Sequence, residues 1–394
     1  MGLLRWILLP VIVAVGAFLA AKGIGAYFHT KPDIPKNGWF GAGKERPDDT
    51  KITPFEVHVP KEVLDDLQSR LANSRISHEV LEDSDNFEYG FNEKYLKKVK
   101  DYWINKYDWS AAEKKLNAFP QFTTEIEGVK VHYYHVKPDA KKYKKTIPFL
   151  IVHGWPGNVF EFNKILPMLS DPLASKVGGG EFAFEIIAPS IPGYGFSGAP
   201  RKRGFSQVAA ARVFKKLMER VGHKKFLVQG GDWGSVIVAN FGRMYPESVY
   251  GVHTNMMMVA PGSNLVGTLL QFIGSLCPKF FFAHEHHHKY NAFSDFGSLI
   301  VESGYMHIQA TKPDTVGTSL NDSPLGLAAY ILEKFSSWTN IENKKLPDGG
   351  LTKKFTMDEL LTVVMIYWTQ GNIVASQRFY KEFFLDTNNF KLSS

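Results

Sequence analysis

The sequence predicts an α/β protein built on a largely parallel sheet. Three short apolar runs, TIPFLIVHG, FEIIAPS and KKFLVQG, each end at a turn rich in glycine or proline, as buried strands do. The amphipathic segment FSQVAAARVFKKLMERVG separates the last two runs. Strands that alternate with helices in this way are typical of a parallel sheet with helices on its faces.

Regular elements are also predicted on both sides of this core. Helices are indicated by VPKEVLDDLQSRL and by FNEKYLKKVKDYWINKY, whose apolar residues recur at helical spacing. The segment FTTEIEGVKVHYYHV alternates around Glu127 and Gly128 and predicts a hairpin. After the core, SVYGVHTNMMMVA reads as one more strand, and the rest of the chain is mainly helical and rich in aromatic residues.

These patterns divide the chain into five regions. We expect a membrane anchor at 1–28, a linker arm and N-terminal region at 29–145, the first part of the core at 146–259, a helical cap at 260–380 and a short tail at 381–394.

The N-terminal segment LLRWILLPVIVAVGAFLAAKGIGAYF carries only Arg5 and Lys22 as charges. A membrane span needs about 20 mostly apolar residues. A cleaved signal peptide is the alternative, but the apolar stretch is long for one. Most nearby basic residues follow the span, which predicts that the body lies on the cytosolic side of the membrane.

Composition excludes several other classes of protein. The 394 residues include a single cysteine, Cys277, so no disulfide can form within the chain and a reducing compartment is expected. The net charge is +7, but the sequence has no basic stripe with interleaved aromatic residues, so nucleic acid is not an expected partner. Attraction to anionic lipid headgroups is compatible with this charge.

The segment QGGDWGS places Asp232 between a predicted strand and a predicted helix. Such a strand-to-helix elbow lifts its central side chain above the sheet and needs small flanking residues, which Gly230 and Gly234 supply. A carboxylate near a helix N-terminus stays ionised and can act as a nucleophile. An ordinary helix N-cap is the alternative interpretation of Asp232.

A second turn, HGWPG, follows an earlier strand of the same sheet. It can direct the backbone N–H of Trp155 toward the elbow, where Trp233 provides a second N–H, so the two form a predicted oxyanion hole. Gly154 and Pro156 shape this turn. The side chain of His153 is expected to stabilise the turn and to take no part in chemistry.

Several long segments together resemble the microsomal epoxide hydrolase family, with its insect branch of juvenile hormone epoxide hydrolases. They are HGWPG, PSIPGYGFSG, GGDWGS, ESGYMHIQATKPDTVG, LNDSPLGLAAYILEKFSSWT and SQRFYKE. The resemblance implies an α/β-hydrolase fold with an N-terminal arm, a helical cap and a microsomal (endoplasmic reticulum) membrane anchor. It implies that Asp232 is the nucleophile, that Tyr305 and Tyr380 are acids for the epoxide oxygen, and that neither a cofactor nor a metal is needed.

The chemistry fits these residue types. An ionised carboxylate can open an epoxide without a base, and tyrosine is a suitable proton donor to the departing oxygen. The expected substrate is a small lipophilic epoxide, either a juvenile hormone or a xenobiotic. The enzyme would convert it to a diol through an ester of Asp232.

No motif in the sequence supplies a base for the second step, which is hydrolysis of that ester. The family pattern places an acid and a histidine after the cap, whereas His307 is the last histidine of this chain. We therefore expect a C-terminally truncated form that lacks the last core strands and turns over poorly. A protein that only binds apolar ligands and a haloalkane dehalogenase, which also uses an elbow aspartate, remain as alternatives.

The stretch HEHHH, residues His284 to His288, fits the zinc pattern His-Glu-x-x-His, with Glu302 as a conceivable third ligand. A histidine-rich, solvated stretch of the cap is the interpretation that we prefer.

Overall fold

The computed structural model describes residues 34–76, 81–256, 273–274, 278–281, 297 and 300–393. The predicted anchor at 1–28, Cys277 and the histidines of HEHHH lie outside these residues. Within the described part of the chain, none of the helices combines the length and the apolar character that crossing a bilayer requires.

The core is one seven-stranded mixed sheet. Its strands are β1 (Thr53–Phe55), β2 (Gln121–Ile126), β3 (Val129–Val136), β4 (Lys145–Val152), β5 (Phe182–Pro189), β6 (Phe226–Gly230) and β7 (Val249–Thr254). Their order across the sheet is β1-β2-β3-β5-β4-β6-β7. The first three strands are antiparallel and β3 pairs antiparallel with β5, whereas β5, β4, β6 and β7 run parallel to one another. This confirms the predicted parallel core.

Strands β2 and β3 form the predicted hairpin, and Glu127 and Gly128 make its two-residue turn. Both residues have positive φ, 53° and 75°, as a two-residue turn with the twist of the flanking strands requires. The hairpin joins the same sheet as the parallel strands. The N-terminal region thus shares a sheet with the parallel core, across the expected division at 145/146.

A buried ion cluster fixes the turn of this hairpin to the rest of the molecule. The Glu127 carboxylate accepts two hydrogen bonds of 2.7 Å from the Arg212 guanidinium and one of 2.7 Å from Lys216 Nζ. Asp48, in the N-terminal arm, accepts 2.7 Å hydrogen bonds from the backbone N–H groups of Glu127 and Gly128. The arm, the hairpin and the helix Gln207–Arg220 therefore meet at one point.

Helices pack on both sides of the sheet, and their ends follow ordinary capping rules. The helix Gln207–Arg220 starts at Ser206, whose hydroxyl accepts from the Val208 N–H at 3.3 Å, and buries an alanine-rich face. In the N-terminal region and the core the helices are Lys61–Ala72, Glu93–Asn105, Trp109–Leu116, Ile165–Ser170, Gln207–Arg220 and Trp233–Met244. The first two correspond to the predicted helices, whereas Trp109–Leu116 was not expected.

The cap is helical, as predicted. Its helix Met357–Gln370 begins with a capping box between Thr356 and Glu359 and ends at Gly371, whose φ is 57°. The helix Ile373–Leu385 continues past the expected end of the cap at 380. The C-terminal helices are Gly304–Thr311, Pro313–Asp322, Pro324–Ser337, Met357–Gln370, Ile373–Leu385 and Thr387–Ser393, and a short helix spans Pro278–Phe281.

Candidate active site

Asp232 lies on a sharp turn between β6 and the helix Trp233–Met244. Its backbone has φ 50° and ψ −124°, a sparsely populated conformation of the kind that clusters at functional sites. Although Asp232 occupies the N-cap position, its side chain makes no capping hydrogen bond. It therefore does not act as an ordinary N-cap.

The turn is possible only because its flanking residues have no side chains. A Cβ atom on Gly230 would overlap the carbonyl group of Gly234, and one on Gly234 would overlap the carbonyl group of Val152. A Cβ atom on Gly154 would meet the side chain of Asp232 itself. The turns after β4 and β6 therefore pack directly against each other.

The two predicted N–H donors reach the Asp232 carboxyl. The backbone N–H of Trp155 donates to Asp232 Oδ1 at 2.8 Å, and the backbone N–H of Trp233 also donates to this carboxyl. Because β4 and β6 are neighbouring parallel strands with Val152 opposite Gly230, their carboxyl ends bring the two turns together. The sequence Trp155-Pro156 has a cis peptide bond.

The His153 side chain links two loops and does not face the carboxyl as a base. It is fully buried, its Nε2 accepts from the Ile191 N–H at 3.1 Å, and its Nδ1 lies 3.0 Å from the Gly154 carbonyl oxygen. Burial lowers the pKa of His153 to about 4. Its imidazole is therefore neutral near pH 7, with both nitrogen atoms already engaged.

The two tyrosines selected by the resemblance lie together over the elbow. Tyr305, on the helix Gly304–Thr311, stacks on Trp155 with ring centroids 5.5 Å apart and an interplanar angle of 3°. Tyr380, on the helix Ile373–Leu385, packs edge-on against Trp233 at 4.6 Å. The centroids of the two tyrosine rings are 5.9 Å apart. The structure thus brings both tyrosines to the tryptophans whose backbone N–H groups bind Asp232.

The electrostatics of this group follow from its burial. Burial raises the pKa of Asp232 to about 6, while the N–H donors of Trp155 and Trp233 oppose the rise. Burial and the Asp232 charge raise the pKa of Tyr305 to about 12, opposed by a hydrogen bond with Tyr380. The same two causes raise the pKa of Tyr380 well above its usual value. Near pH 7 the carboxyl is mostly ionised and both tyrosines hold their protons.

A cavity of about 480 Å³ opens beside the Asp232 carboxyl, lined mainly by the two strand-end turns and the helix Pro324–Ser337. Its wall is rich in aromatic residues, including Trp155, Phe335, Trp338 and Phe355. Lys334 Nζ lies at this wall, 5.1 Å from the centre of the Tyr305 ring. The cavity therefore combines an apolar wall with a few polar groups, as ligand sites do.

Glu161 also lines the cavity, and sequence reasoning missed it. Its side chain is exposed at the open side of the cavity, and the protein packed around the cavity partly desolvates its carboxyl. Burial, and secondly the charge of Asp232, raise the pKa of Glu161 to about 8. The only signal in the sequence is one carboxylate within the apolar run VFEF after the HGWPG turn, where the neighbours Val159, Phe160 and Phe162 are buried.

One group of potential metal ligands occurs among the described residues. His135, Glu185 and His223 have ligand atoms within 4.8 Å of one another. The Glu185 carboxylate is already bound to His135 at 2.6 Å and lies 3.7 Å from Lys137 Nζ, whose charge would compete with a cation. Glu302, the conceivable third ligand of the HEHHH pattern, is paired with Lys344 at 2.8 Å.

A sheet whose strand-end turns carry an elbow carboxyl and two backbone donors, covered by a helical cap, defines an α/β hydrolase. A model described as the alpha/beta hydrolase fold matches residues 147–384, and one described as the epoxide hydrolase N terminus matches residues 52–162. The chain belongs to the epoxide hydrolase family, a family of hydrolytic enzymes.

Similar proteins support this family assignment. "Epoxide hydrolase 1" of Sus scrofa is 51% identical over 352 residues, which cover 88% of this chain and 76% of the relative. "Juvenile hormone epoxide hydrolase 1" of Ctenocephalides felis is 44% identical over 375 residues, covering 93% and 79%. The crystal structure of juvenile hormone epoxide hydrolase from the silkworm Bombyx mori matches with a TM-score of 0.82 at 39% identity, covering 91% and 83%.

Proposed function

We propose that this chain opens lipophilic epoxides and releases them as diols through an ester of Asp232. One observation carries the proposal: the Asp232 carboxyl lies between two backbone N–H donors, and the tyrosines Tyr305 and Tyr380 pack on the tryptophans that supply these donors. A nucleophile, an oxyanion site and a proton source therefore lie close together at the elbow.

In the first step, Asp232 attacks a carbon of the epoxide ring. Since Oδ1 is held by the Trp155 N–H at 2.8 Å, the other carboxyl oxygen forms the bond to carbon. The ring C–O bond breaks, and the departing oxygen takes a proton from Tyr305 or Tyr380. Both hydroxyls keep their protons until an alkoxide forms because their pKa values are raised.

In the second step, water attacks the carbonyl carbon of the Asp232 ester. Negative charge develops on the carbonyl oxygen, which already faces the N–H groups of Trp155 and Trp233. Preorganised donors of this kind stabilise the tetrahedral intermediate. Its collapse releases the diol and restores the carboxylate.

The substrate class follows from the cavity. A volume of about 480 Å³ falls within the usual range for small-molecule sites, roughly 300–1,000 Å³, and the aromatic wall favours an apolar molecule. Relatives are named for juvenile hormone and for epoxides in general, so we propose a juvenile hormone or a lipophilic xenobiotic epoxide.

We further propose that residues 1–28 hold the enzyme on the endoplasmic reticulum membrane with its body in the cytosol. An inserted span does not depend on charge, so the full chain should stay in the membrane pellet after washing with alkaline carbonate. A variant that begins at residue 29 should move to the supernatant. Release of the full chain by the wash would contradict the anchor.

The proposed chemistry is tested by mass spectrometry of the protein after mixing with a reactive lipophilic epoxide such as 1,2-epoxyoctane. The intact protein should gain the mass of one substrate molecule, and peptide mapping should place it on Asp232. The variant Asp232→Asn should form no adduct and no diol. An adduct on another residue, or diol formation by Asp232→Asn, would refute the role of this carboxyl.

A haloalkane dehalogenase is a second candidate, and one observation favours it. The indole N–H groups of Trp155 and Trp233 are buried and have no acceptor among the described residues, and such donors can hold a departing halide. Halide needs no proton, so Tyr380→Phe should slow alkylation by an epoxide but not by a 1-haloalkane. Halide release in proportion to adduct would support this candidate over the first.

A further inference from the structure

Two histidines and a glutamate meet where the antiparallel part of the sheet joins the parallel part. Strand β3 pairs antiparallel with β5, and His135 lies opposite Ile187. Residues two apart on a strand share a face of the sheet, so Glu185 is the diagonal neighbour of His135 and lies within reach of a long side chain. His135 Nε2 and Glu185 Oε1 are 2.6 Å apart. These two side chains therefore connect the hairpin to the parallel core.

The second histidine, His223, lies in a turn whose backbone is fixed. It follows the helix that precedes β6. Its N–H donates to the Met218 carbonyl oxygen at 2.8 Å, and the Gly222 N–H donates to the Glu219 carbonyl oxygen at 3.1 Å. Gly222 has a φ of 99°. These two hydrogen bonds and the left-handed glycine form a Schellman motif, so the end of the helix holds His223 in one place.

The Nε2 atom of His223 is buried and makes no hydrogen bond in the part of the chain that the structure describes. Glu185 Oε1 lies 3.2 Å from it, but not in the direction that a hydrogen bond requires. A buried polar atom without a partner is rare in folded proteins and needs an explanation, of which a bound ion is one. This nitrogen is therefore available as a ligand.

The spacing of the three side chains suits a single metal ion. The ligand atoms of His135, Glu185 and His223 all lie within 4.8 Å of one another. Two atoms that bind the same tetrahedral Zn²⁺ at about 2.0–2.1 Å are roughly 3.3 Å apart. The separation of 3.2 Å between His223 Nε2 and Glu185 Oε1 is close to this value. His135 needs to withdraw from the carboxylate by roughly 0.7 Å to bind the same ion.

The chemistry of the donors selects the class of ion. Imidazole nitrogens and a carboxylate are usual ligands of Zn²⁺, with water in the remaining position, whereas Ca²⁺ and Mg²⁺ prefer oxygen ligands. A metal ligand must be deprotonated, and the hydrogen bond with His135, before other causes, lowers the pKa of Glu185 to about 2. The side chains of His135, Glu185 and His223 are 10%, 14% and 18% exposed. Water can therefore reach the remaining position.

Lys137 opposes the binding of a cation at this place. Its Nζ lies 3.7 Å from Glu185 Oε1. Its side chain is 66% exposed, however, so it can turn into the solvent when an ion enters. The lysine therefore lowers the affinity of the site without closing it.

We propose that His135, Glu185 and His223 bind a Zn²⁺ ion, which fastens the hairpin of β2 and β3 to the parallel core. The site is separate from the epoxide chemistry, because His223 precedes β6 and Asp232 follows it, so the two residues lie at opposite ends of that strand. The inference does not depend on the proposed function.

The test measures Zn²⁺ binding to the metal-free, untagged full chain in detergent by isothermal titration calorimetry. Because the HEHHH stretch is a second potential set of ligands, every protein also carries His284→Gln and His288→Gln, which remove its zinc pattern. We expect one ion per chain. Adding His223→Gln should weaken binding by about 10²-fold or more, since loss of a residue that only hydrogen-bonds to a ligand already costs roughly 10–100-fold.

Two further readouts show whether the ion binds at these residues. The melting temperature should rise with Zn²⁺ concentration, because the ion binds only the folded chain, and His223→Gln should abolish this rise. Lys137→Met should tighten binding, whereas the matched control Lys345→Met, which removes an exposed lysine paired with Glu342, should leave it unchanged.

Three results would overturn the inference. The first is the lack of stoichiometric binding to the protein that retains His223. The second is an unchanged affinity in His223→Gln, and the third is equal affinity of the two lysine variants. Each of them leaves the role of Asp232 intact.

Discussion

The substitution Gly154→Ala tests whether the contact between the two strand-end turns supports the chemistry. The added Cβ would stand closer than real Cβ atoms do to three atoms of Asp232, namely Cβ, Cγ and Oδ1. These atoms belong to a short side chain on a backbone with φ 50°, so they cannot swing away as the end of a flexible side chain would. Either the carboxyl or the turn must shift, and the 2.8 Å hydrogen bond from the Trp155 N–H must lengthen or break.

The expected effect is large because this bond is one of the two oxyanion donors. Removal of one such donor costs about 10²–10³ in rate, or about 2.7–4 kcal/mol. We therefore expect Gly154→Ala to slow diol formation by about 10²-fold or more, measured under single-turnover conditions by quenched mixing. The matched control is Gly198→Ala, whose Cβ would lie 3.5 Å from Lys130 Cβ, an ordinary contact. A folded Gly154→Ala protein with a rate within a few-fold of the control would refute this account of the site.

Three further predictions follow from the structure. The rate of adduct formation should rise with pH and level off above the Asp232 pKa of about 6, because only the ionised carboxyl attacks. A rate that does not change with pH through that range would contradict this prediction. Tyr380→Phe should slow epoxide opening by about 10²-fold without lowering the melting temperature, as stopped-flow mixing and calorimetry would show. Arg212→Met leaves the buried Glu127 carboxylate with Lys216 alone and should lower the free energy of unfolding by about 3–5 kcal/mol. Lys216→Met should lower it clearly less. Equal losses of the two variants in urea titrations would count against the burial argument.

The sequence was sufficient where a local pattern determines the backbone. The alternation around Glu127 and Gly128 predicted the hairpin, and the short apolar runs predicted the parallel strands. The elbow and the HGWPG turn could be placed at one edge of the sheet because parallel strands end together. In each case the deciding signal lies within a few consecutive residues.

The site was harder to predict where it depends on contacts between distant parts of the chain. Tyr305 and Tyr380 come from separate helices, and only the resemblance selected them from 16 tyrosines. Glu161 looks like a surface residue in the sequence, and its raised pKa comes first from desolvation by the surrounding protein and secondly from the charge of Asp232, 71 positions later in the chain. No local pattern reports contacts between residues so far apart in the chain, so the place of Glu161 beside Asp232 at one cavity could not be predicted from the sequence.

The cluster around Glu127 also has a practical consequence for shortening the chain at its N-terminus. Besides its two bonds to Glu127, Arg212 donates to the Pro35 carbonyl oxygen at 3.2 Å, and Lys216 donates to Asn37 Oδ1 at 2.8 Å. Deletion up to residue 33 leaves every one of these partners in place. Deletion beyond Asp48 removes the acceptor of the hairpin N–H groups and exposes the Glu127 carboxylate, which is buried in the folded protein. The part of the chain that should be expressed as an independent folding unit therefore starts in front of Pro35, well ahead of the first strand.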